Sequence, residues 1–182
     1  MNKTFRALCV FIFLVLLSAN SLSDSGITYT QGEINPRWDG WQESHSGTAY
    51  RLAYVHNFEM DDNFLTKHNI DFNLEFAYHH WQDFLYSDKN GGSVTPILKY
   101  QLHFDQLTLF LEAGIGVTYI NSQFYADRDM GSKWQFEDKL GVGVILFKHH
   151  QIGFSFIHYS NANFSNTNDG LNAIGFNYGY FW

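Results

Sequence analysis

Apolar and polar residues alternate one for one through most of this chain, and a period of two leaves it few folds to choose from. In LTLFLEAGIGVTY the odd positions are Leu107, Leu109, Leu111, Ala113, Ile115, Val117 and Tyr119. The even ones are Thr108, Phe110, Glu112, Gly114, Gly116 and Thr118. IDFNLEFAYHHW sets Ile70, Phe72, Leu74, Phe76 and Tyr78 against Asp71, Asn73, Glu75, Ala77 and His79. KWQFEDKLGVGVILF opposes Trp134, Phe136, Leu140, Val142, Val144 and Leu146 to Lys133, Gln135, Glu137, Lys139, Gly141 and Gly143. TAYRLAYVHNF and SVTPILKYQLHF behave alike, with Arg51 and Lys99 on the polar side. Helical amphipathicity does not produce this pattern. It predicts about eight strands, roughly 26–35, 47–58, 70–81, 93–104, 107–119, 133–147, 150–160 and 171–182.

A soluble sandwich or lipocalin would alternate too, with its polar faces turned outward. Composition argues for the opposite arrangement. Aromatics make up 19% of the chain and charged residues 16%, where soluble domains average about 25% charged. The polar faces mix glycine with both signs of charge (Arg51, Glu75, Lys99, Glu112, Glu137, Lys139), which suits a narrow lumen filled by ion pairs. The last strand, AIGFNYGYFW, ends on Tyr180, Phe181 and Trp182, like the terminal aromatic strand of bacterial outer-membrane barrels. The expected fold is all-β: an eight-stranded antiparallel transmembrane β-barrel of the bacterial outer membrane. HFDQ (103–106) and FKHH (147–150) read as short turns, while 82–92, 120–132 and 161–170 read as long polar loops. Short turns then fall on the periplasmic side and long loops outside, with 58–69 as the exception.

The first residues have a different character. Lys3 and Arg6 precede the apolar run Ala7 to Leu17, and small polar residues follow. Residues 1–23 are expected to be a secretory signal peptide, leaving 24–182 as one barrel domain. The single cysteine, Cys9, lies inside that run, so disulfide and thiol chemistry are not expected of the mature chain. A net charge of -7 argues against nucleic acid as a partner. No cofactor is called for. His79-His80 and His149-His150 put adjacent imidazoles on opposite faces or in a turn, which argues against a metal site.

One motif remains: HYSNANFSNTNDGLN, His158 to Asn172. In HQIGFSFIHYS the even positions Ile152, Phe154, Phe156, His158 and Ser160 share a face, and that face belongs to the lipid side. Polar groups on the outer wall, at the height of the outer leaflet, need an explanation, and the lipid of that leaflet is lipopolysaccharide. Residues two apart on a strand face are about 6.5–7 Å apart at Cα. An imidazole leaning along the strand can close that gap, so His158 could take a proton from Ser160 as it attacks an ester. Amides of the loop beginning at Asn161 could then meet the oxyanion.

HYSNA…NDG, preceded by LEAGIGV (111–117) and FEDKLGVG (136–143), resembles the outer-membrane lipid A 3-O-deacylases and the wider acyloxyacyl-hydrolase-like barrel family. The resemblance covers roughly 107–172. It implies an eight-stranded barrel that hydrolyses the ester-linked 3-hydroxyacyl chain at the 3-position of lipid A. By the same resemblance, His158 and Ser160 are catalytic, Asn161 and Asn168 shape the site, and Ala162 and Asn163 supply oxyanion amides. Asn172 stands at the third triad position, where the family carries glutamate. Asn163 replaces a loop glycine and Thr167 a proline. Asparagine can orient an imidazole but cannot neutralise an imidazolium.

A supporting acid is available. If Leu146 pairs with His150, Asp138 falls opposite His158; a two-residue slip would bring Leu140 there instead. Asp138 is the one acidic residue on an otherwise apolar face.

Plainer readings stand beside these. Asn161, Asn163, Asn166 and Asn168 are all good turn formers. Glu112 and Glu137 read as lumen ion pairs, and Trp38, Trp41, Trp81 and Trp134 as interfacial girdle or loop residues. The expected partners are lipid A (lipopolysaccharide) as substrate and the outer membrane, with a homodimer as the assembly to consider. The alternative to an esterase is a non-enzymatic barrel, for adhesion or membrane integrity, that keeps the outline of the site. A lipid acyltransferase is a more distant alternative.

Overall fold

The computed structural model describes residues 25–35, 46–60, 62–83 and 87–182. The expected signal peptide, Trp38 and Trp41 lie outside the described residues. The elements are β1 (Gly26–Ile34), β2 (Gly47–Asn57), a short helix α1 (Phe64–Lys67), β3 (Ile70–Gln82), β4 (Lys89–His103) and β5 (Leu107–Ile120). They continue with a two-strand hairpin, β6 (Phe124–Tyr125) and β7 (Arg128–Asp129), then β8 (Trp134–Leu146), β9 (His150–Ser160) and β10 (Leu171–Phe181).

The long strands close into an antiparallel barrel in the order β1-β10-β9-β8-β5-β4-β3-β2. Closure runs from Gly26↔Phe181 to Ile34↔Ala173, so the terminal aromatic strand seals the seam and leaves no free edge. One ladder is interrupted. Between β4 and β5 the pairing steps from Val94↔Val117 to Ile97↔Gly114, around Pro96, which has no N–H to give. The connection 58–69 holds α1, whose N-terminus is capped by Asn63 Oδ1 accepting from the amides of Leu65 (2.7 Å) and Thr66 (3.2 Å).

The alternation sorts side chains as expected. Leu111, Ile115, Val142 and Phe154 are each more than half exposed on the outer wall, amid a continuous belt of apolar neighbours. In water such a belt would be an aggregation surface; in a bilayer it is the solvent-matched face. Aromatic pairs mark both rims: Tyr119 meets Trp134 edge-on at 5.1 Å near the long loops, and His150 meets Tyr180 at 5.5 Å near the short turns.

Inside, three cations meet three carboxylates. Arg51 bonds Glu75 at 2.7 Å and Glu137 at 2.8 Å; Lys139 bonds Glu75 at 2.9 Å and Glu112 at 3.1 Å; Lys99 reaches Glu112 at 3.4 Å. All six are buried. Glu137 also accepts from Thr95 Oγ1 (2.8 Å) and Thr118 Oγ1 (3.2 Å). The lumen is therefore a plugged polar core rather than a channel, and its formal charges balance. Toward the short turns the lumen opens into a cavity of about 880 Å³ whose lining includes Asn73, Lys99, Gln101 and His149.

Toward the long loops an apolar cluster caps the network: Ile34, Trp81, Ile120, Tyr125, Met130 and Tyr159 among others. Trp81 is the correction here. Expected at an interface or in a loop, it is 2% exposed, packed against Tyr159 at 5.0 Å and Tyr125 at 6.0 Å. The reason is parity. In β3 the even positions face outward, so Trp81 follows His79 into the lumen. Burial under this cap pushes the Tyr125 hydroxyl pKa up, and the carboxylates of Asp83 and Asp88 add to the shift.

Candidate active site

His158 lies on the outer wall of β9, half-buried, with a strand on each side. Its register partner on β10 is Asn172, and its partner on β8 is Asp138. Leu146 pairs with His150, so the first of the two registers is the one adopted. Of the two neighbours, Asn172 takes the imidazole: Asn172 Oδ1 lies 2.7 Å from His158 Nδ1. A carbonyl oxygen can only accept, so Nδ1 carries the proton and Nε2 is left with its lone pair. No hydrogen bond joins Asp138 to His158. Asp138 faces His158 as a nearby charge, with opposed Cβ atoms of such pairs about 4.5–5.5 Å apart.

Ser160 shares the outward face, half-buried, and pairs in register with Phe136. Its hydroxyl is not hydrogen-bonded to His158, so the two side chains must lean together when a substrate arrives. At Phe136, the register partner of Ser160, and Asn161, its successor, the wall opens into a groove of about 410 Å³, lined on its apolar side by Val117, Trp134, Phe136 and Phe164.

The loop after Ser160 is built from its asparagines. Asn161 is buried; its amide donates to Asn168 Oδ1 (3.0 Å), and its side-chain nitrogen to the carbonyls of Met130 and Thr167 (both 2.7 Å). Asn168 Nδ2 reaches Asn163 Oδ1 at 3.2 Å. Phe164 N donates to Asn161 O at 3.0 Å across a tight turn. Its two central residues, Ala162 and Asn163, both have positive φ, +51° and +62°, the pattern of a type I′ turn. Alanine there is strained by about 1–2 kcal/mol. Asn161 N and Phe164 N are committed within the loop, while the amides of Ala162 and Asn163 make no bond to another described residue.

The structure thus gathers His158, Ser160, Asn172 and Asp138 at one end of the outward face, with Asn161, Ala162, Asn163 and Asn168 in the loop that follows Ser160. Sequence reasoning missed Gly170. At φ +65° it sits behind the imidazole: a Cβ there would lie 3.0 Å from His158 Cε1 and 3.6 Å from Nε2. The only local sign was an Asp-Gly pair just before a strand, which reads as any turn.

An outer-membrane barrel with a histidine and a serine on its lipid-facing wall is the class that this fold and site define. The profile of the lipid A 3-O-deacylase (PagL) family matches residues 48–181, and the chain belongs to that family. It is 28% identical to lipid A deacylase PagL of Pseudomonas aeruginosa over 167 residues, covering 90% of this chain and 83% of that protein. With lipid A deacylase PagL of Bordetella bronchiseptica it shares 39% identity over 71 residues, 39% of this chain and 40% of that one. The crystal structure of the outer membrane enzyme PagL superimposes with a TM-score of 0.71 at 25% identity, covering 85% of this chain and 97% of that one.

Proposed function

We propose that this chain is a serine-type lipid A deacylase that hydrolyses the ester-linked 3-hydroxyacyl chain at the 3-position of lipid A, from the outer leaflet. The observation that carries this is the bond between His158 Nδ1 and Asn172 Oδ1, which leaves Nε2 a free base on the same outward face as Ser160. Nε2 takes the Ser160 proton as Oγ attacks the ester carbonyl, and the amides of Ala162 and Asn163 receive the oxyanion. The imidazolium then returns its proton to the departing sugar oxygen. Water, activated by the same nitrogen, releases the free 3-hydroxy acid and restores Ser160. The groove beside Ser160 gives the acyl chain an apolar bed. With the long loops outside the cell, the site meets the outer leaflet at the height of the glucosamine esters.

Asn172 and Asp138 divide the work of a single acid. Asn172 orients the ring, and Asp138 offers the negative charge that an amide lacks. Asp138→Asn is expected to lower kcat about tenfold, the loss of roughly 1.4 kcal/mol of transition-state stabilisation. Asn172→Glu is expected to raise kcat, since the reverse loss of charge in a serine protease costs about 10⁴-fold. Steady-state rates on purified lipid A check both. An unchanged rate in Asp138→Asn removes Asp138 from catalysis.

The amide at position 172 also favours a second reading, a non-enzymatic barrel with a degenerate site. Mass spectrometry of lipid A from cells with and without this protein separates the two. Loss of one hydroxyacyl chain supports the deacylase; identical spectra support the inert barrel.

A further inference from the structure

Arg128 lies outside the His158–Ser160 pair, yet two carbonyls of the segment beside His158 accept from it. It lies on the short hairpin strand β7, and its side chain is 3% exposed. Its Nη1 donates to two successive carbonyls, those of Asp169 (3.3 Å) and Gly170 (3.2 Å). The next residue reinforces the grip: Asp129 N donates to Asp169 Oδ2 at 2.7 Å, and Asp169 N to Asp129 O at 3.2 Å. Gly170 is where this grip reaches the site. A Cβ on Gly170 would lie 3.0 Å from Cε1 and 3.6 Å from Nε2 of His158, so the glycine faces the ring edge that runs on from the Asn172-bonded Nδ1. Continuing the β9–β10 register one step past Tyr159↔Leu171 also sets Gly170 across from Ser160.

Resting on the deacylase reading above, we propose that Arg128 is a positioning residue: by holding the carbonyls of Asp169 and Gly170 it keeps Gly170 as a wall against the imidazole and so aims Nε2 at Ser160. Asn172 holds Nδ1, and the Gly170 wall limits the swing of the adjoining Cε1–Nε2 edge. A single bond at Nδ1 leaves the ring free to pivot. Two constraints do not. Arginine suits the task because one buried terminal nitrogen supplies two hydrogens in a fixed plane to two adjacent carbonyls.

The test is steady-state kinetics on purified lipid A, using the full chain in detergent, with heat-modifiability on gels reporting that each barrel is folded. Arg128→Met is expected to lower kcat about 10- to 100-fold, the order of loss from ångström-scale misplacement of a catalytic group, with KM changed less than about twofold. Arg128→Lys, whose ammonium can still donate to both carbonyls, should recover most of that loss. Gly170→Ala, which crowds the ring from the same side, should reproduce it. Gln123→Ala removes a different tie of the same hairpin, the 3.3 Å bond from Gln123 Nε2 to Asp129 Oδ1, and should leave kcat unchanged.

Wild-type kcat in Arg128→Met overturns the inference. So does a loss confined to KM, or an equal loss of kcat in Gln123→Ala, which would mean that any loosening of the hairpin is enough. If Arg128→Met does not fold, Gly170→Ala decides, and an unchanged kcat there is fatal. An inert wild-type chain, or full activity in Ser160→Ala, overturns the deacylase reading and this inference with it. That failure shows in those two chains alone.

Discussion

Ser160→Ala is expected to cost at least about 10³-fold in lipid A deacylation while leaving the barrel as stable as before, and His158→Ala should do the same. The kinetic loss is large because nucleophile and base act as a unit: without the hydroxyl there is no acyl-enzyme, and without the imidazole the hydroxyl stays protonated. Any residual rate comes from binding and from the oxyanion amides. Stability should hardly change, because both side chains lie half-buried on the outer wall, outside the lumen network. Among the described residues, the hydrogen bond that His158→Ala breaks is to Asn172 Oδ1, which lipid headgroups or water can satisfy at the rim. Deacylation rates on purified lipid A, with urea unfolding in lipid vesicles as the control, check both halves. A Ser160→Ala chain that deacylates at the wild-type rate has its nucleophile elsewhere.

Glu137→Ala is expected to destabilise the barrel by about 3–5 kcal/mol, the usual cost of stranding a buried partner charge. Glu137 is fully buried and gathers Arg51, Thr95, Thr118 and His79 around one carboxylate. Its removal leaves Arg51 with Glu75 as its remaining carboxylate, beside Ser93 Oγ, and strands the two hydroxyl donors that Glu137 had accepted from. Glu137→Gln keeps the shape and an acceptor oxygen, so it should cost less than the alanine. Replacing Arg51 and Glu137 together with apolar residues should recover part of the loss, because the uncompensated charge goes with its partner. Urea midpoints in vesicles measure all three. Equal midpoints for Glu137→Ala and wild type would mean that water, not Glu137, neutralises the lumen.

The strand boundaries were largely legible because a barrel strand declares itself within its own residues. Observed and expected ends agree closely for β1, β2, β5 and β9. β4 starts earlier than expected, at Lys89, because its first residues KNGG lack alternating apolar side chains; backbone pairing of Trp81↔Lys89 and His80↔Asn90 extends the strand regardless. The hairpin β6–β7 was invisible for the opposite reason. Its strands are two residues each, too short for a pattern, and their contacts lie far along the chain in the loop 161–170.

The site divides along the same line. That His158 and Ser160 share the outward face followed from parity alone, since side chains on a strand alternate whatever the strand pairs with. Asn172 entered through the family resemblance, and Asp138 through one of two registers that the sequence left open. Register is a property of two strands at once, so only the closed barrel could choose it. Only the folded chain, too, could show that Asn172 rather than Asp138 bonds Nδ1, and that Gly170 backs the ring under the hold of Arg128. Local backbone geometry writes a period of two into the sequence; which neighbour an outward-facing side chain meets is decided by strands and loops distant in the chain, and no local pattern records it.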